Sequence, residues 1–112
     1  MKYILIVLAL FAGPVAAETN WYRVAANGLL FVDMLQTVEI SRNDKFVETN
    51  KYLGKYPTER EVYEWFLLSI IGNNLIGELL PKKYSNIFYT NVALTHLDAV
   101  DQNMQFGIKI KF

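Results

Sequence analysis

Asp33, Glu48 and His96 are the side chains best suited to joint chemistry: two carboxylates and the chain's one histidine. Gathered in one place they would move a proton or hold a hard cation, since carboxylate oxygens suit both tasks and imidazole titrates near neutral pH. Gln36 and Thr37 follow Asp33 at i+3 and i+4, so a helix would carry all three on one face. Glu48-Thr49-Asn50 lies in a polar stretch where Glu and Asn side chains cap nearby backbone amides. The competing reading is packing. In it Asp33, Gln36 and Thr37 hydrogen-bond to the Ser69, Asn73 and Gly77 positions of the second helix, Glu48 and Asn50 pin a loop, and Thr95 and Asp98 satisfy His96. Packing is the favoured reading, so no catalytic residue is assigned and the chain is not expected to be an enzyme.

Composition removes other chemistry. The 112 residues hold no cysteine, which excludes a disulfide framework, a thiol nucleophile and a thiolate metal site. A single histidine excludes any site needing two, and no phosphate-binding loop, His-Glu-x-x-His or Gly-x-Ser-x-Gly occurs. No metal and no cofactor are expected. Eleven basic residues balance eleven acidic ones, so a basic nucleic-acid-binding surface and an acidic disordered tail are excluded too.

The elements that must position these residues start with an export-like leader. Met1-Lys2, the apolar run Tyr3–Phe11, Gly13-Pro14 and Val15-Ala16-Ala17 have the layout of a signal peptide over residues 1–17, cleaved or kept as an anchor. Residues 18–112 then form one domain of about three helices, near 21–41, 58–80 and 84–103. The second opens on Thr58-Glu59-Arg60-Glu61, a capping-box pattern after Pro57, and stops at Pro81. Ser69, Asn73 and Gly77 fall four apart along it, a small or polar seam on which another helix could pack. The third carries a polar stripe, Asn91, Thr95, Asp98 and Gln102. Phe106, Ile108, Ile110 and Phe112 alternate with polar residues and glycine, which reads as a short extended C-terminal tail, since an outer-membrane barrel would leave no room for the helix at 58–80.

Hydrophobic residues make up 53% of the chain and aromatics 14%. Apolar stretches this dense would expose large patches unless inserted or tightly paired. Trp21, Tyr22, Tyr63, Trp65, Tyr84, Phe88 and Tyr89 lie near segment ends, as interfacial belts do, although Asp33 at mid-helix would cost about 2.5–3.5 kcal/mol to insert. Arg42, Lys45, Lys51, Lys55 and Arg60 cluster between the first two segments and would face the cytoplasm, with Lys82 and Lys83 outside. The expected architecture is therefore all-α: three membrane-embedded helices in a bacterial inner membrane, mature N-terminus outside and C-terminus cytoplasmic. The expected partners are the lipid bilayer and a membrane protein or a second copy of the chain. The alternatives are an intramembrane enzyme or proton- or ion-handling protein using Asp33, Glu48 and His96, and a soluble periplasmic helical domain.

Asp33-Met34-Leu35-Gln36-Thr37, Glu48-Thr49-Asn50-Lys51-Tyr52-Leu53-Gly54-Lys55-Tyr56-Pro57, Leu80-Pro81 and the Gly107-to-Phe112 end occur in an order and spacing that resembles a family of small, uncharacterised membrane proteins of bacteria and their phages. The likeness covers nearly the whole chain after the leader. Two positions depart from the family pattern, Lys51 in place of a usual proline and Met34 in place of a usual aromatic. The resemblance implies membrane architecture without an assigned activity. It also implies, by association, a role in modifying a host envelope, through superinfection exclusion or as a lysis accessory.

Overall fold

Local capping sets where the first two helices begin. The computed structural model describes residues 20–43, 45–48, 50 and 52–110; the leader over 1–17 and the terminal Lys111-Phe112 lie outside these residues. Helix α1 (Trp21–Ser41) starts at Asn20, whose side-chain oxygen accepts from the Arg23 amide at 3.2 Å. Helix α2 (Glu59–Leu79) opens with a full capping box: Thr58 Oγ1 accepts from the Glu61 amide, and the Glu61 carboxylate accepts from the Thr58 amide. Leu80, in extended conformation, ends it, and Pro81 starts α3 (Lys82–Gln105) at once. So short a joint forces α3 to run antiparallel to α2, and α1 lies parallel to α3, as the pairs Asp33–His96 and Gln36–Asn103 show.

α1 is the central element. Every residue from Asp33 to Val38 is buried, so this turn and a half is enclosed on all sides. The apolar core joins Leu30, Met34 and Val38 of α1 to Val62, Phe66 and Ile70 of α2. Leu53 from the loop and Ile110 from the tail pack against it, and Ile108 is buried. Gly107, at φ 80°, turns the chain back after α3 so that the tail can reach that position.

No helix among the described residues is long and apolar enough to cross a membrane. This overturns the expected three membrane-embedded helices, together with the inner-membrane location, the inside–outside assignment, and the bilayer and membrane-protein partners built on them. The physical reason is what surrounds the apolar side chains. The 21 residues of α1 reach about 30 Å, enough to span, but Asn27, Asp33, Gln36 and Thr37 interrupt them. All four are buried against protein groups. Several of the aromatics counted toward belts are internal: Tyr89 is fully buried, Tyr63 is in the core, and Trp65 stacks on Tyr52 with ring centroids 5.7 Å apart, whereas Trp21, Tyr22 and Tyr84 are exposed. Arg42, counted as cytoplasmic charge, pairs with Glu39 and Glu59. Of the readings drawn from the sequence, a helical domain with its own core is the one this fold supports.

Candidate functional site

Asp33 and His96 meet between α1 and α3. His96 Nδ1 lies 2.7 Å from Asp33 Oδ2, and the Thr37 hydroxyl lies 3.3 Å from Asp33 Oδ1 and donates to the Asp33 carbonyl at 2.8 Å. The Phe66 ring approaches His96 edge-on, with centroids 6.4 Å apart. One turn further on, Asn103 donates to Gln36 Oε1 at 3.0 Å, and Gln36 Nε2 lies 3.4 Å from the Val100 carbonyl. Asp33, Gln36, Thr37 and His96 thus form one polar layer joining α1 to α3 rather than to the expected Ser69-Asn73-Gly77 positions of α2, and His96 is met by Asp33 rather than by Thr95 and Asp98, which are exposed.

Glu48 and Asn50 lie elsewhere. Glu48 Oε1 accepts from the Asn50 amide at 3.0 Å, and Asn50 Oδ1 accepts from the Tyr52 amide at 2.9 Å. Each folds the loop back on itself. Gly54, at φ 84°, completes that turn, and its carbonyl neighbour Lys55 accepts from the Glu48 amide at 3.0 Å. Among the described residues no three His, Cys, Asp or Glu side chains converge as metal ligands would.

The seam on α2 also falls differently from its sequence spacing. Ser69 and Asn73 are half-buried, whereas Asn74 is buried. Asn74 and Asn27 exchange hydrogen bonds at 2.8 and 3.0 Å, Arg23 Nε donates to Asn74 Oδ1 at 2.7 Å, and Arg23 pairs with Glu78 at 2.9 Å. Tyr89 of α3 closes this second polar layer by donating to Glu78 Oε1 at 3.1 Å. Burial pushes the Tyr89 phenol up to about 12, and the adjacent Glu78 carboxylate adds to the push against the pull of Arg23. Gly77 is buried beneath this ring, and a Cβ there would collide with it.

Sequence reasoning missed Arg23, Asn27, Asn74, Glu78 and Tyr89. The signal for Asn74 was present: extending the apolar face Val62, Phe66, Ile70 by one more turn lands on 74, not 73. For α3 the inward positions are Ser85, Tyr89, Val92, His96, Val100 and Asn103, while the expected polar stripe of Asn91, Thr95, Asp98 and Gln102 is exposed.

An Asp–His contact could orient an imidazole as a general base. Here the pair fits a bolt better. No buried side-chain nitrogen or oxygen among the described residues lacks a hydrogen-bond partner. The described clefts are lined by other groups, one by Glu39, Arg42 and Phe46 beside the tail, another by Trp21, Glu78 and Ser85 near the α2–α3 joint. Neither contains Asp33 or His96. Compared with known proteins, the chain matches no family model, no curated protein and no solved structure.

Proposed function

We propose that this chain is a protein-binding domain, without chemistry of its own, that works through the outer face of α2. The observation that carries the reading is the exposure there of large apolar side chains: Leu68 at 70%, Leu75 at 61% and Leu79 at 77%, with Ile71 and Ile76 about half exposed. At 100° per residue the three leucines lie nearly in line, and the isoleucines flank them. Scattered exposed leucines need no explanation, but an aligned set spanning about 16 Å of helix is the mark of a contact surface. α3 also exposes Tyr84, Ile87, Leu94, Leu97 and Met104, but the exposed Thr90, Asn91, Asp98 and Asp101 interrupt them. The fully partnered polar layers support the same reading, because they leave packing rather than reaction as the work of the ionisable groups. The likeness to small bacterial and phage proteins belongs to this proposal too, stripped of the membrane architecture.

A photo-crosslinking residue placed at Leu75, compared with one at the exposed Asp98, tests it. A discrete adduct formed in cells at 75 but not at 98, and lost with Leu68→Glu, is the expected result. A folded chain that forms no adduct at 75 would end this reading.

A further inference from the structure

Gly72 is the unexplained residue of α2. It lies in the helix interior, where glycine weakens a helix relative to alanine. Gly77 is needed by Tyr89, but a Cβ at Gly72 would meet nothing within 4 Å. Nothing among the described residues therefore requires the missing side chain. Gly72 sits one turn from Leu68 and one turn from Ile76, in the middle of the exposed apolar face. Gly28 of α1 is equally open, but its neighbours Leu29, Phe31 and Val32 are half-buried and form no comparable face.

We infer that the α2 face is the two-fold interface of a homodimer, in which the α2 helices of two copies cross antiparallel at Gly72. This rests on the reading of α2 as a contact surface and names its occupant. Three features fit a second copy. In a two-fold interface each residue meets its mirror position, so a patch that is apolar in the middle serves both partners. Centred near Gly72, the symmetry sets Leu68 opposite Leu75 or Ile76. The absent side chain then lies at the point where the helix axes come closest. The ends carry opposite charge: an antiparallel crossing brings Glu61, at the start of the face, to the end where Lys82 and Lys83 open α3 of the other copy, all three exposed, while Glu64 is already paired with Arg60 of its own copy at 2.7 Å. Two such faces pressed together remove on the order of 1,000 Å² from water, the size at which specific interfaces begin.

The chain has no cysteine, so single cysteines report the geometry without background. In the full-length chain, Ile71→Cys lies next to the axis and should form an intermolecular disulfide on mild oxidation, whereas Leu79→Cys, far from its own copy, should not. Sedimentation of the unmodified chain should give a dimer. Leu75→Glu should give a monomer of unchanged helicity, and Gly72→Ala should raise the dimer dissociation constant at least about tenfold while raising the melting temperature of the dilute monomer. A full-length chain that stays monomeric at high concentration would overturn the inference, including the case in which the apolar residues 3–11 cover the face. A dimer that survives Leu75→Glu, or crosslinks through 79 as readily as through 71, would overturn it as well. A photo-adduct at 75 with a different protein would sink the homodimer and leave the contact-surface reading standing; no adduct and no dimer would sink both.

Discussion

Removing the His96 imidazole strands a carboxylate. Asp33 is 6% exposed and has His96 Nδ1 at 2.7 Å, so His96→Ala leaves a buried acceptor short of its best donor. That costs about 1–3 kcal/mol, more if the carboxylate stays ionised. In a domain of this size each kcal/mol lowers the melting temperature by roughly 4–8 °C, so thermal unfolding monitored by circular dichroism reads the loss directly. Replacing both partners with leucine should recover most of it, because neither group is then left unpaired. An unchanged melting point for His96→Ala would show that the contact bears no load. Tyr89 gives the residue-scale pH dependence. Its phenol ionises near 10 in the unfolded chain and at about 12 in the folded one, so the unfolded state sheds its proton first. The stability Tyr89 contributes is complete below pH 10 and declines as pH rises toward about 12. Tyr89→Phe keeps the ring over Gly77 and loses that share, so the stability gap between it and the parent should narrow across this range in denaturant titrations.

Helices are the scale at which the sequence is most readable, and α2 shows why. Thr58 and Glu61 act through bonds to the backbone within a few residues, and Pro81 through its missing amide hydrogen and fixed φ, so their effect does not depend on what surrounds the helix. Thr58→Ala should accordingly cost about 0.5–2 kcal/mol, measured by urea unfolding, whatever happens at the α2 outer face. Solvent is the part not readable in this way. A helix enclosed by protein and a helix enclosed by lipid both bury every face, and residues 33–38 of α1, three of them polar, are enclosed by protein. Asp33, Gln36 and Thr37 within that stretch favoured protein surroundings, but the apolar density and the clustered basic residues argued the other way. Register is lost for a related reason. Ser69-Asn73 and Ile70-Asn74 share the same four-residue step one position apart, so spacing alone does not say which line is packed; the apolar residues Val62, Phe66 and Ile70 do, and the buried face then passes to Gly77. Gly77 is common to both lines, and it separates them experimentally. Gly77→Ala should destabilise by about 1–3 kcal/mol through collision with Tyr89, opposite in sign to the gain expected at Gly72.

At the scale of the whole molecule, stability follows from α1 lying between the other elements. α1 shares the apolar core with α2 and the Asp33–His96 layer with α3, and its N-terminal end is tied to α2 by Asn27–Asn74 and Arg23–Glu78. α2 and α3 meet where Tyr89 covers Gly77 near their short joint and where the Phe66 ring approaches His96. Opening α1 therefore breaks both polar layers and the core at once, while the loop over 43–57 can open without touching either layer. Native-state hydrogen exchange should show this as two classes. Amides of residues 33–38 should exchange only through global unfolding, with protection that falls in step with denaturant at the slope of the full transition. Amides held by the loop's own turns, such as Tyr52 on Asn50, should exchange through small openings that denaturant scarcely alters. If α1 exchanged faster than α2 in dilute buffer, it would not be the central element of the fold, and the Asp33–His96 layer would be a local contact at its edge.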